Sequence, residues 1–429
     1  MSQKISKEFI IELSKSKNEP QWMLDFRLKS FEEFLKLDNP SFGPKLDIDF
    51  SKIVYYKKED QKSTDNWENV KKDIKDVFND LGVIKAEKEY LGGVSNQIES
   101  EVFYHRHENS DVIFESTDEA LKNHPELFKK YFNSLVDYKE NKYTALNGAV
   151  WSGGSFIYIP KGVKLDRPLQ SYFRINSKAL GQFERTIIIV DDDAELSYIE
   201  GCTAPTYSTN SLHAGVVEIF VNKNAKMRYS TIQNWSTDVY NLVTKRAIVL
   251  DNGVMEWVDG NIGSKVTMKY PSCILKGDNS VGNSISIAYA KENQVLDAGA
   301  KMIHLGKNTK SNIVSKSIAE NKGIANYRGT TRITKDAINS RATIKCDTIL
   351  IDSISKSDTF PNNIVANSSS ILEHEATVSK VSEEELFYLT SKGLTMDQAK
   401  ELIIMGFVQE FKKELPMEYA VELNRLLKS

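Results

Sequence analysis

The chain has 429 residues with 56 basic and 59 acidic side chains, a net charge of −3 and a hydrophobic fraction of 40%, a soluble globular composition with room for two or three domains. This excludes a disordered or collagen-like chain, and the balanced charge gives no footprint for nucleic acid or a membrane surface. Three isolated cysteines, Cys202, Cys273 and Cys346, form neither a disulfide framework nor a CxxC zinc site, so any cysteine chemistry is that of a single thiol. No apolar run reaches eighteen residues and the amino terminus carries no secretory pattern. The expected location is the cytoplasm, or a plastid-type stroma if an organelle encodes the chain.

In chain order, Pro20 opens a helix with Leu24, Leu28, Phe31 and Leu35 on one face, which ends in the breaker segment 38–44. Trp67, Val70, Ile74, Phe78 and Leu81 predict a second helix closed by Gly82, and residues 118–136 predict a third. Residues 1–150 thus read as a mainly α-helical domain. Beyond them the pattern changes, because 16 of the 22 glycines fall between Gly148 and Gly329 among short β-branched and aromatic runs. A frame repeats there: Val190-DDD-Ala194, Val221-NKN-Ala225 and Leu250-DNG-Val254, at intervals of 31 and 29, with a later Ile333-TKD-Ala337. An apolar residue, three turn residues and a small or β-branched residue at such intervals predict stacked coils with a shared corner. Residues 151–381 therefore read as a β-solenoid, with a large β-sandwich as the alternative. Residues 382–429 read as helical, with capping boxes at Ser382/Glu385 and Thr395/Gln398 and a last amphipathic run after Pro416 (Tyr419, Leu423, Leu426, Leu427).

Several familiar sites are absent or incomplete. Gly260-NIG-Ser264-Lys265 has the wrong spacing for a phosphate loop, there is no GxSxG or HExxH, and His105 with His107 lacks a third ligand. Cys202 stands in Glu200-Gly-Cys-Thr-Ala-Pro205, read as an accessible turn after a strand; Cys273 reads as core. Glu373, His374 and Glu375 follow Cys346 by 27 to 29 residues, close to one coil, so stacking brings carboxylates and an imidazole beside that thiol. Such donors suit iron and sulfur chemistry, and a surface Glu-His-Glu is the competing reading.

The strings NEPQWMLDFRLKSFEEF, ALNGAVWSGGSFIYIPKGV, YFRIN, EGCTAP, YSTIQNW, NLVTKRA, HEATVSK and LPMEYAVELNRLL together resemble the SufB/SufD family of the SUF iron–sulfur cluster assembly system, from about Lys17 to the end of the chain. The resemblance implies a right-handed parallel β-helix flanked by helical terminal domains. It implies a scaffold rather than an enzyme, in a complex with the ATPase SufC and with SufD or a second copy, fed by a cysteine desulfurase or sulfur shuttle and delivering to acceptor apoproteins. No nucleic acid or membrane partner is implied. The cofactor it implies is a transient iron–sulfur cluster; reduced flavin accompanies some complexes of the family, and no flavin motif is present.

Carried onto this chain, the resemblance makes Cys202 the sulfur acceptor and Cys346 the thiol of the nascent cluster, with Glu375 as co-ligand and Glu373 and His374 beside it. Arg174, Asn176, Gln233, Trp235 and Lys245 then line an internal sulfur route; β-helix core and polar ladders are the other reading of these five. The 144 positions between Cys202 and Cys346 correspond to about six coils and roughly 28 Å. A SufD-like structural subunit and a β-helix polysaccharide-processing enzyme are the alternative functions.

Overall fold

β-Branched and aromatic runs interrupted by Asn, Asp and Gly corners favour strands that bury both faces and stack in parallel. The result is a β-solenoid of about 8 turns with helices at both ends. The computed structural model describes residues 5–58, 63–72, 75, 90–177, 179–204 and 210–414.

Ten strands form one wall, in the order Glu101–His107, Gly93–Ile98, Leu169–Arg174, Glu195–Thr203, Lys226–Trp235, Val254–Gly263, Val281–Ala290, Lys310–Ala319, Arg341–Leu350 and Ile371–Lys380. A twelve-stranded sheet forms the other wall. Pairing is parallel throughout except at the amino-terminal end, where Gly93–Ile98 pairs antiparallel with Glu101–His107, and Ile113–Ser116 with Ser155–Ile159. From Glu195 to Lys380 the first wall keeps residue-for-residue register with no shift. Between the walls lies an apolar core that includes Ile188, Val217, Ala247, Met255, Cys273 and Met302.

The predicted corner is where the coils lock. Asp193, Asn224, Asn252, Asn279, Asn308 and Asn339 all have φ between 54° and 59°, the left-handed region that short amide and carboxylate side chains tolerate best after Gly. Their side chains form a ladder: Asn224 Nδ2 donates to Asp193 Oδ1 (2.8 Å), Asn252 to Asn224 (3.0 Å) and Asn279 to Asn252 (3.2 Å). The Asp191–Asp193 run is thus a repeat turn. At Ile333 the frame is lengthened, and Asn339 rather than a residue of the TKD triplet carries the positive φ.

The first 150 residues are less helical than their periodicity predicts. Three strands, Gly93–Ile98, Glu101–His107 and Ile113–Ser116, lie within them. Gly93–Ile98 (GVSNQI) is buried on both faces although half its residues are polar, so no alternation marks it. The predicted 118–136 helix is two helices, Thr117–Asn123 and Pro125–Tyr131; Pro125 has no N–H to continue the first and is suited to start the second. Of the predicted 67–81 helix only the 3₁₀ turn Trp67–Asn69 and a few neighbours are described. Helices Gln21–Lys36 and Lys142–Val150 are tied together by the buried Arg27, which bonds both Glu19 oxygens and the carbonyls of Ala149 and Trp151.

Both predicted capping boxes are formed, opening helices Glu383–Ser391 and Met396–Phe407. With Gln409–Lys413 these helices cover the outer face of the first wall, where Ile404, Val408 and Phe411 pack with Ile287, Ile318 and Ile349. The run after Pro416 lies outside the described residues.

Asn252→Ala removes two rungs of the ladder and puts a Cβ-bearing apolar residue at φ 54°. It is expected to cost about 1–2 kcal/mol, and Asn252→Gly clearly less, by thermal or urea denaturation.

Candidate functional site

Unshifted parallel register stacks side chains into straight columns, and residues two apart along a strand share a face. Tyr198, Glu200 and Cys202 all point between the walls and belong to three such columns. The first runs through Tyr229 and Trp257, with ring centroids 5.0 and 5.2 Å apart, and ends at Ile344 and His374. The second runs Glu200, Thr231, Asp259, Ser286, Ser315, Cys346, Ala376. The third runs Phe173, Cys202, Gln233, Asn261. The middle column is polar from Glu200 to Cys346 although it runs through the interior.

The facing wall supplies the matching charges. Lys245 Nζ donates to Glu200 Oε1 (3.0 Å), and the Tyr229 hydroxyl donates to Glu200 Oε2. Lys269 Nζ donates to Asp259 Oδ1 at 2.9 Å. His213 bridges Glu184 and Asn241, and Asn241 Nδ2 donates to Gln233 Oε1 (2.7 Å) and Thr267 Oγ1 (3.2 Å). The side chains of the three ion pairs are at most 2% exposed.

Three carboxylates thereby face three bases in a space closed to water. Burial works to raise the Glu200 carboxyl, but Lys245 and the Tyr229 hydroxyl outweigh it and hold it low. Burial pushes Lys269 below its ordinary value against the pull of Asp259, whereas Lys245 ends above its own because Glu200 and Asp259 together overcome burial. His213 is raised, burial being outweighed by Glu184. Burial, then Glu200 and Glu184, push the Cys202 thiol well above its usual range, so it is held protonated. Several buried polar atoms in this interior have no partner among the described residues, including Gln233 Nε2, Trp235 Nε1 and Asn261 Oδ1. The first two flank Cys202: Gln233 is its register neighbour and Trp235 packs in its cluster.

The structure redistributes the residues singled out in the sequence. Cys202 does not sit in an accessible turn: the strand Glu195–Thr203 runs through it and it is 2% exposed. Gln233, Trp235 and Lys245 are inside. Arg174 and Asn176 do not line the interior. Arg174 lies on the opposite face from Phe173, and Asn176 is exposed, its backbone N–H bonded to Glu99. Cys273 is core, as its apolar strand predicts.

Cys346 is buried, with the Tyr327 hydroxyl as its polar neighbour; burial pushes its thiol up to about 12 and Tyr327 opposes the rise. The Glu373–Glu375 run does lie one coil on, but alternation divides it. His374 is in register with Ile344 and shares the face of Cys346, whereas Glu375 pairs with the exposed Lys345 and Glu373 bonds the exposed Arg341. Among the described residues no three His, Cys, Asp or Glu side chains gather as a metal cage. His105 and His107 do share a strand face, with ring centroids 5.3 Å apart. Cys202 and Cys346 are separated by five strand steps rather than six, about 24 Å, because the coils average nearer 29 residues than 25.

Sequence reasoning missed Glu184, Glu200, His213, Asn241, Asp259 and Lys269. Their signal was parity: Glu200 keeps the facing of Cys202, so a charge stands at an inward position.

Lys269→Met leaves Asp259 buried without its cation and is expected to lower stability by about 3–5 kcal/mol, most of it recovered in Lys269→Met/Asp259→Leu, as urea titrations of both variants would show. Because the folded Cys346 thiol is raised from 9.0 to about 12, its protonated form adds stability that is full below pH 9 and lost as pH rises toward 12. At pH 8 native Cys346 is expected to react with iodoacetamide at least about a hundredfold more slowly than in the urea-unfolded chain, read by mass spectrometry of its peptide.

The description "SUF system FeS cluster assembly, SufBD core domain" matches residues 173–407, and "SufBD protein N-terminal region" matches residues 15–171. An iron–sulfur cluster assembly SufBD family protein of Staphylococcus epidermidis is 56% identical over 429 residues, covering 99% of this chain and 92% of the relative. One from Staphylococcus aureus is similar to the same extent, 56% identical with the same coverage. With a β-solenoid between helical ends and both family regions matched in sequence, the chain belongs to the SufBD family of SUF-system iron–sulfur cluster assembly proteins.

Proposed function

We propose that this chain is the SufB-type scaffold of its system, taking sulfur at Cys202 and building a cluster, its cargo, at Cys346. The observation that carries this reading is the interior polar column that begins at Glu200, beside Cys202, and ends at Cys346.

Sulfur is received when the Cys202 thiolate attacks the terminal sulfur of a donor persulfide; the donor's S–S bond breaks, its thiolate leaves, and Cys202 becomes the persulfide. The buried thiol is protonated at rest, so donor docking must uncover it and a base must take its proton; Glu184 and Glu200 are the nearby carboxylates. The N–H donors of Gln233 and Trp235, without a partner among the described residues, suit an anionic sulfur on Cys202. Direct exchange between Cys202 and Cys346 across about 24 Å is impossible, because thiol exchange needs sulfur–sulfur contact. Transfer onward needs a small carrier: a hydrosulfide ion attacks the outer sulfur of the Cys202 persulfide, the S–S bond breaks, the Cys202 thiolate leaves, and the hydrodisulfide anion so formed passes Lys245 and Lys269 and then the hydroxyls of Ser286 and Ser315, 3.2 Å apart. At the far end Cys346 and His374 share a face, and Glu375 joins them only if the last strand moves.

That strand is free to take part in assembly. Thr359–Val365 and Ile371–Lys380 are the outer edges of the two sheets and expose Phe360, Ile364, Ile371 and Val378. Such edges suit a second solenoid, either SufD or another copy. The carboxyl-terminal helices expose Phe387, Tyr388 and Leu402, a surface for the ATPase SufC, whose hydrolysis would drive the movement that opens Cys346.

Anaerobic reconstitution separates the roles. Cys346→Ser is expected to hold no cluster with either free sulfide or a desulfurase as sulfur source. Cys202→Ser should hold one from free sulfide and fail with the desulfurase. Gln233→Leu should follow Cys202→Ser. A full cluster yield in Cys346→Ser, measured by absorbance and iron content, identifies a SufD-like structural subunit instead.

A further inference from the structure

A cavity of about 90 Å³ lies on the outer face of the second sheet, under the amino-terminal segment that carries Phe42. Lys245 also borders it, but its ammonium turns inward to Glu200 while alternation sends Arg246 outward, so the cavity lies across the sheet from the interior column. Register stacks Arg246, Ser272 and Lys301 in one outward column. Ser272 is small, and the backbones of Arg246 and Lys301 lie two strand steps, about 9.6 Å, apart on either side of it.

The charges around this gap do not cancel. Glu140 is engaged by both guanidinium nitrogens of Arg246, and Asp297 by Arg328 (3.1 Å) and the Tyr270 hydroxyl (2.6 Å). Lys301 has no carboxylate partner among the described residues; its ammonium rests 5.6 Å from the Tyr270 ring. Burial, then Arg246, push it below its ordinary value, and Glu140, already bound by Arg246, opposes them without prevailing. The Ser272 hydroxyl between the cations makes no hydrogen bond among the described residues. At the rim Phe42 is 45% exposed, its ring 6.0 Å from Tyr270 and 5.5 Å from the Arg328 guanidinium. An exposed aromatic beside an uncompensated cation offers a π face and an anion seat together.

We propose that this cavity binds an aromatic phosphomonoester of the mononucleotide class, its phosphate between Arg246 and Lys301 over Ser272 and its ring against Phe42 and Tyr270. The phosphate accepts from the Lys301 ammonium and the Ser272 hydroxyl, while Arg246, already holding Glu140, contributes field. The cavity encloses the phosphate and leaves the ring at the rim.

The test is calorimetric titration of the full chain with adenosine monophosphate, ribose 5-phosphate and inorganic phosphate. Adenosine monophosphate is expected to bind one to one and roughly tenfold tighter than the two probes that lack a ring. Lys301→Met should weaken all three at least about tenfold, Phe42→Ala only adenosine monophosphate, and Lys223→Met on an exposed corner none. Lys301→Met should unfold at the same temperature as the parent chain or higher, because it removes a half-buried unpaired charge. No binding at millimolar concentration, equal binding of the three probes, binding unmoved by Lys301→Met, or a lowered unfolding temperature in that variant would each overturn the proposal. None of these readouts depends on cluster formation.

Discussion

Unshifted parallel register is the constraint on which the rest of the molecule depends. Once each coil lies residue over residue on the one before, the facing of a single side chain fixes the facing of its whole column. Glu200 and Cys346 share a column without any contact between them. The same rule separates Glu375 from Cys346, one position apart in register, and places Arg246 and Lys301 together on the outer surface. The Asn ladder at the corner holds that register: each rung is short, and a slip of one residue would both break it and put the left-handed backbone on an unsuitable side chain.

The interior ion pairs show what the fold gives up for this column. A solenoid of this length can fill its core with aliphatic residues, as it does around Met255, Cys273 and Met302. Replacing buried pairs such as Lys245–Glu200 and Lys269–Asp259 by packed apolar side chains is often neutral or stabilising. Three pairs set in one connected interior, next to amide and indole donors that have no partner among the described residues, are therefore poorly explained by stability. They make sense as a polar medium held at near-neutral net charge, in which an added anion finds donors without leaving the protein.

Much of this was legible in the sequence, and the failures share one cause. The corner frame at Val190, Val221 and Leu250 gave the solenoid, and the two capping boxes gave the carboxyl-terminal helices, because turns and caps are local chemistry. Facing was harder. Arg174 lies one residue from an inward position, and nothing in YFRIN says which of two alternate residues turns in. Cys202, preceded by glycine and followed by Thr-Ala-Pro, reads as a turn although pairing on both sides keeps it in a strand. GVSNQI hides as a strand because its polar residues are buried by neighbours far off in the chain. Glu200, Asp259 and Lys269 escaped notice because a charged residue in a strand is normally solvated, and only the second wall shows that these are not.

The two ends of the solenoid differ in kind. At the amino-terminal end both sheets finish in antiparallel strands, and the outer edge of one is already paired by Thr64 at Phe103 and His105. At the carboxyl-terminal end both sheets stop with outer hydrogen-bonding edges that no described strand pairs. A rod that can join at one end only has a stoichiometry built into it: joined end to end with a like rod, it has used its single valence and growth ceases. In that geometry one joint uses the unpaired edges of both rods and leaves none from which a filament could grow.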